Sequence, residues 1–243
     1  MKHAIVTGGS GSIGVCIVRA LGEAGYRTTI LDKQPPPTGL EAFARYIEVD
    51  LRDFQLSRTA VDMACREFGG LDVLVYGAGV LGPTCPFEAA PLEELYEVIS
   101  VNLSGAVACV HAAVPYMKRR GGSIVFVASI AGELGSYAAP VYGATKAGLI
   151  GLAKGLAKQL GRYKIRVNCV SPGSVSGTQL LLRARGVPLT RTESLAIAAR
   201  LPLAQLTSAE DVAQGVLYLC SPAARSITGI TLVIDAGESL RMD

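Results

Sequence analysis

The sequence predicts an α/β fold: one doubly wound, mostly parallel sheet of seven strands with helices on both faces. Three observations predict it. Short apolar runs alternate with longer stretches of helical periodicity along the 243 residues, the pattern of repeated β-α-β units. The apolar runs are rich in Val, Ile and Leu with little polar alternation, as strands covered on both faces require. A glycine-rich turn joins the first apolar run to the first helical stretch. Right-handed crossovers then leave few ways to wind such a sheet.

Taken in order, strands are expected at 3–7, 27–31, 46–49, 72–76, 123–128, 165–170 and 230–234, with helices near 12–24, 53–67, 92–118, 141–160 and 209–220. Pro35-Pro36-Pro37 keeps a full crossover helix from starting after the second strand. The link to the third strand is therefore expected to be short, one or two turns at 39–45. The stretch 174–206 is long for a connection, and its tail after Gly186 reads as loop. An excursion of that size past the sixth strand is expected to form a substrate-binding lid. No linker or internal repeat divides the chain, so 1–243 reads as a single domain.

Half the residues are hydrophobic, enough for a large core without metal or disulfide staples. The formal charge is only +3, and Lys118-Arg119-Arg120, the one basic run, reads as a solvated helix end. No nucleic-acid partner is expected. Cysteines at 16, 65, 85, 109, 169 and 220 form no CxxC pair and no cluster with the two histidines, so neither a metal site nor a disulfide scaffold is expected. Free thiols fit a reducing compartment. The N-terminus meets a glycine turn too early for a signal-peptide core, and no apolar run reads as long enough to cross a bilayer. A cytoplasmic protein without a membrane partner is the expectation.

The chemistry is concentrated in a few places. Thr7-Gly8-Gly9-Ser10-Gly11-Ser12-Ile13-Gly14 contains GxGxxG as Gly9, Gly11 and Gly14, at a strand–turn–helix junction. There a pyrophosphate can approach backbone N–H groups at a helix N-terminus, whose dipole favours negative charge. Asp32 ends the second strand. A carboxylate there can accept both hydroxyls of an adenosine ribose and repels a 2′-phosphate, favouring NAD(H) over NADP(H). Its plainer role is to cap the turn before the prolines, and Lys33 adjoins it. Tyr142 and Lys146 lie four apart on one helix face, where an ammonium favours phenolate over phenol. Ser129 follows the fifth strand at its carboxyl end, where ligands gather in open α/β sheets. Asn102 is a polar residue among Ile99, Val101 and Leu103.

In this combination and register the chain resembles the short-chain dehydrogenases/reductases from first strand to last. The glycine motif, Gly77-Ala78-Gly79, Asn102, Ser129, Tyr142, Lys146, Asn168, Pro172-Gly173 and Val233-Ile234-Asp235-Ala236-Gly237 carry the resemblance. It implies a single-domain Rossmann fold in which Tyr142 is the acid/base. Ser129 would hold the substrate oxygen, Lys146 would bind the nicotinamide ribose and lower the tyrosine pKa, and Asn102 would hold a water linking Lys146 to solvent. For the dinucleotide it implies Gly8, Gly9, Ser10, Gly11, Ser12, Ile13 and Gly14 at the pyrophosphate, Asp32 at the ribose, and Asp50 and Leu51 beside adenine. Tyr76, Gly77, Ala78 and Gly79 would follow along the crevice. Pro172, Gly173 and Val175, with Tyr142 and Lys146, would face the nicotinamide. Three positions depart from the family pattern: Ser12, Tyr76-Gly77, and Gly177 in place of a threonine, with Ser176 or Thr178 as substitutes.

The implied function is an NAD(H)-dependent oxidoreductase that interconverts a secondary alcohol and a ketone. One alternative is a dihydrodiol dehydrogenase similar to 2,3-dihydro-2,3-dihydroxybenzoate dehydrogenase, suggested by the clipped connection after Asp32 and by Val-Ser-Pro-Gly-Ser. Another is a 3-ketoacyl-carrier-protein reductase, against which Asp32 argues. From a different class, a non-catalytic nucleotide-sensing protein would have little use for an intact Ser129–Tyr142–Lys146 set. The helix 141–160 carries five residues, Gly143, Ala147, Gly148, Gly151 and Gly155, small enough for close packing. The family's habit of pairing it and 92–118 across a two-fold axis implies a homo-oligomer, dimer or tetramer. Arg183, Arg185, Arg191 and Arg200 face one acid, Glu193, in the lid; they read as a solvated surface, or as a grip on an anionic substrate. His3 and His111 read as core or surface residues, and Asn168 as a tie between strands.

Overall fold

A computed structural model describes residues 2–178 and 190–240. Its seven strands are β1 (Lys2–Thr7), β2 (Tyr26–Asp32), β3 (Ala44–Glu48), β4 (Val73–Tyr76), β5 (Gly122–Val127), β6 (Ile165–Pro172) and β7 (Thr231–Ile234). They form one sheet in the order β3-β2-β1-β4-β5-β6-β7, every pair parallel. The winding reverses at β1, which pairs with both β2 and β4. That reversal opens a crevice beyond the strands' carboxyl ends.

The strands lack polar alternation because both faces are covered. Ile5, Leu74, Ile124 and Phe126 face one buried cluster with α2 (Phe54–Glu67), α4 (Gly105–Met117) and α6 (Pro140–Leu160). Their strand neighbours Val6, Val73, Val75, Val125 and Val127 face the other, with α1 (Ser12–Glu23) and α8 (Ala209–Cys220). The short α5 (Ala131–Leu134) lies between β5 and α6, and local chemistry fixes other helix starts. The Asp53 side chain caps Gln55 and Leu56 N–H groups at α2, and Ser208 and Asp211 form a capping box at α8. After the proline run, turns at 38–43 replace a crossover helix, and β3 begins at Ala44, two residues before the expected start.

Three expectations need correction. The helix 92–118 is not continuous: α3 (Leu92–Ile99) passes through a π-helical turn, Ser100–Ser104, into α4. The tail of the 174–206 stretch is not all loop, because Arg191–Ala198 forms a helix, α7, opened by a Thr190–Glu193 capping box. The stretch Leu92–Met117 is also long and apolar enough to cross a membrane by length and composition. Its apolar residues Ala106, Cys109, Val110, Ala113 and Met117 are instead packed in the core, so it is a core helix here.

Other expectations can be placed directly. Arg120 of the basic run donates to the Gly69 carbonyl, 3.0 Å, and Lys118 lies 4.9 Å from the Tyr163 ring centroid. His3 is a core residue: its ring contacts the Gly70 carbonyl and the Thr29 hydroxyl, each at 3.0 Å, and burial lowers its pKa. Asn168 ties β6 to the chain entering β7, donating to the Ile227 carbonyl and accepting from Ile230 N–H. Arg191 and Arg200 are exposed, while Arg183 and Arg185 lie outside the described residues.

Candidate active site

Two adjoining cavities, of about 460 and 200 Å³, occupy the crevice and share Ile13, Gly77, Gly79 and Thr178. The larger is floored by the glycine loop. Gly8 has φ +68°, and a Cβ there would lie 2.7 Å from the backbone of Ala78, so only glycine lets the loop lie against the segment after β4. Gly9 does not line the cavity; it faces Ile30, where a Cβ would approach to 2.8 Å. The N-terminus of α1 carries no side-chain cap, so its first N–H groups are open to an anion.

Asp32 closes the far end of this cavity. Its carboxylate accepts from Ser10 N–H at 3.0 Å and Gln34 N–H at 3.1 Å, which leaves lone pairs on both oxygens for ribose hydroxyls. Asp50 and Leu51 line the same cavity. Arg52, which sequence reasoning missed, lines it too, forking onto Asp50 and reaching Glu97 on α3 at 3.1 Å. This guanidinium holds the Asp50 pKa down, at about 2. Lys33 Nζ stands 3.5 Å from Asp50. These cavity features accommodate a dinucleotide: an uncapped helix start for a pyrophosphate, and a carboxylate for a ribose.

The smaller cavity gathers Ser129, Tyr142 and Lys146 with Pro172, Gly173 and Val175. Tyr142 and Lys146 share a face of α6 and are both buried. The Tyr142 phenol is raised in pKa by burial, with a hydrogen bond from Ser129 pulling it back down. Ser129 Oγ also accepts from Ala131 N–H at 3.2 Å, which fixes its rotamer. Lys146 Nζ donates to the Val127 carbonyl at 2.7 Å and lies 5.5 Å from the Tyr142 ring centroid. Burial lowers its pKa to about 8. The ammonium thus faces the cavity from behind the phenol.

Besides Gly9, two expected site residues stand elsewhere. Tyr76 does not line the crevice. Strand alternation turns its ring into the buried cluster under α4, where its hydroxyl donates to the Val101 carbonyl within the π-helical turn. Asn102 lies behind the cavities, with both amide hydrogens committed, to the Val80 carbonyl at 3.0 Å and Thr145 Oγ1 at 3.1 Å. Its Oδ1 accepts from Val80 N–H at 2.8 Å, so one lone pair is all the side chain retains for a water. Of the two residues offered in place of a threonine at Gly177, Thr178 lines both cavities and Ser176 neither.

Comparison with known proteins gives this geometry its family. The family model described as "Enoyl-(Acyl carrier protein) reductase" matches residues 8–239. The chain belongs to the short-chain dehydrogenase/reductase family. Among curated relatives, (+)-borneol dehydrogenase 1 of Salvia officinalis is 35% identical over 98% of this chain and 94% of its own length. The cis-4-hydroxycyclohexanecarboxylate dehydrogenase of Sinomonas cyclohexanicum is 33% identical over 97% and 96%. Among solved structures, aldohexose dehydrogenase from Thermoplasma acidophilum superposes with a TM-score of 0.92 at 29% identity, covering 99% and 95% of the two chains. A 3-ketoacyl-(acyl-carrier-protein) reductase from Brucella melitensis complexed with NADH gives 0.87 at 26% identity, covering 98% of each. This chain is therefore an oxidoreductase acting on CH–OH groups, and its family binds a nicotinamide cofactor.

Proposed function

We propose that this oxidoreductase interconverts a secondary alcohol and a ketone with NAD(H), using Tyr142 as its acid/base. The convergence of Ser129, Tyr142 and Lys146 on one cavity contiguous with the glycine-floored crevice carries the reading. NAD(H), when bound, supplies the hydride acceptor or donor. The chain's own groups manage the oxygen and its proton. Ser129 donates a hydrogen bond to the substrate oxygen, and Tyr142 takes the hydroxyl proton in oxidation or returns it in reduction. Lys146 sets a positive charge 5.5 Å from the phenol ring centroid, which favours the phenolate, and the Ser129 hydrogen bond works the same way against burial, which favours the neutral form. Asp32 supports NAD(H) over NADP(H), because its carboxylate stands where a 2′-phosphate would be repelled.

A cyclic secondary alcohol is the substrate class we favour. The substrate that names the Sinomonas relative is such an alcohol, and Leu81, Val98 and Ala139, buried with Tyr142, make its surroundings apolar. We further propose that 174–206 acts as the lid and that the outer faces of α4 and α6 pair between subunits. Gly151 and Gly155 on α6 have open space above them, whereas Gly143 and Gly148 already pack within the chain.

Tyr142→Phe tests the acid/base assignment. It should bind NADH nearly as the parent does while turnover of cyclic secondary alcohols falls roughly 10²–10⁴-fold. Near-parental turnover would remove Tyr142 from the mechanism.

A further inference from the structure

The wall of the smaller cavity opposite Tyr142 is the turn Pro172–Val175. Backbone bonds tether it at three points: Ile130 N–H to the Pro172 carbonyl at 3.0 Å, Gly173 N–H to the Ile234 carbonyl at 3.1 Å, and Ser176 N–H to the Thr207 carbonyl at 3.0 Å. A stronger grip comes from the far end of the chain. Glu238 takes Ser174 with both oxygens, accepting from its N–H at 2.6 Å and its hydroxyl at 2.8 Å. Charge-assisted bonds of this length are the strong ones. The packing is close enough that a Cβ on Gly173 would lie 2.6 Å from Glu238 Oε2 and 2.7 Å from Asp235 Cβ.

Glu238 is itself held in place. The buried Asp235 carboxylate accepts from Gly237 N–H at 2.8 Å and Ser239 N–H at 2.7 Å, which closes the tail into a turn beside β7. The same turn grips the far root of the lid, where Leu203 N–H donates to the Ala236 carbonyl at 3.2 Å. Ala204 and Ala236, on either side of that contact, are left-handed at φ 51° and 54°. Alanine adopts that conformation only where its surroundings impose it.

We propose that Glu238 is a positioning residue for the reaction: through Ser174 it fixes the Pro172–Val175 turn and, with it, the nicotinamide end of the cofactor. The proposal rests on the dinucleotide reading of the crevice and adds a determinant about 100 residues from Tyr142 in the chain. The adenine half of the crevice, floored by Gly8–Gly14 and closed by Asp32, makes no use of this clasp.

That asymmetry supplies the test. NADH and ADP-ribose, which lacks the nicotinamide, are titrated by calorimetry against the full chain and its Glu238→Ala, Glu238→Gln and Ser174→Ala variants. Glu238→Ala should weaken NADH about tenfold and ADP-ribose less than about twofold. Glu238→Gln keeps an acceptor for Ser174 N–H and a partner for its hydroxyl, so it should stay within about threefold of the parent for NADH. Ser174→Ala removes only the hydroxyl bond and should fall between them, which preserves the test should Glu238→Ala fail to fold. Equal losses for both ligands would mean a merely structural tie, and no loss for either would mean no role; each overturns the proposal. A parent chain that binds neither ligand would overturn the dinucleotide reading as well.

Discussion

Asn102→Ala separates two roles for a residue that the sequence places among apolar neighbours. The structure commits its fully buried amide to three hydrogen bonds, to Val80 N–H, the Val80 carbonyl and Thr145 Oγ1. At about 1 kcal/mol for each bond, the substitution should cost about 3 kcal/mol, with more where a buried partner is left unsatisfied. For a domain of this length that is about 6–12 °C in Tm. Urea unfolding followed by circular dichroism should show a lower midpoint with an unchanged slope. Thr145→Val cuts one of the three bonds, together with the threonine's own 2.7 Å bond to the Tyr142 carbonyl, and should lose about 1–2 kcal/mol. If Asn102 serves chiefly to hold a water, Asn102→Ala would instead lose turnover at nearly unchanged stability. A midpoint shift worth less than about 0.5 kcal/mol would refute the structural account.

Asp32→Ala should lower NADH affinity and narrow the discrimination against NADPH by about tenfold or more, read as the ratio of KM values for the two cofactors. A parent enzyme that already prefers NADPH would overturn the ribose assignment. Stability should decline on the alkaline side. Burial raises the Cys65, Cys109, Cys169 and Cys220 thiols to about 12, above the ordinary value of 9.0, so between those pH values the folded chain holds protons that the unfolded chain has released. Their contribution is complete below about pH 9 and is lost as pH rises, at up to about 1.4 kcal/mol per unit for each thiol. Lys146, lowered to about 8 from 10.5, has the opposite sign over that lower range and is outnumbered. A urea midpoint at pH 10.5 equal to that at pH 8.5 would contradict this account.

What was legible in the sequence was local. The all-apolar runs marked strands covered on both faces, and all seven begin within two residues of the expected start because sheet burial leaves its mark on each residue type. The strand–turn–helix glycines and the four-residue spacing of Tyr142 and Lys146 are likewise short-range patterns. The π-helical turn was not legible, since Ser100–Ser104 differs little in composition from an ordinary helix. It is stabilised by partners over 20 residues distant, the Tyr76 hydroxyl on the Val101 carbonyl and the Val80 backbone on Asn102. An asparagine inside an apolar helix was the one available signal. The helix α7 was a different kind of miss, because Thr190-Arg191-Thr192-Glu193 spells a capping box and could have been read.

The proposed acid/base group and its partners are held with unequal rigidity, and this decides where distant changes would reach the chemistry. Tyr142 and Lys146 ride on one 21-residue helix, so their relative placement is set by helix geometry alone. Ser129 sits on a loop, but Ala131 N–H bonds its Oγ, and Ile130 N–H reaches the Pro172 carbonyl at 3.0 Å. That second bond joins the serine loop to the Pro172–Val175 turn, which makes the turn a shared support for both sides of the smaller cavity. A helix resists displacement through its own ladder of bonds, whereas a turn is only as fixed as its few outside contacts. Substitutions at the turn's anchors, Ser174, Asp235 and Glu238, should therefore disturb hydride geometry more than exposed changes along α6, although none of the three lines the cavity.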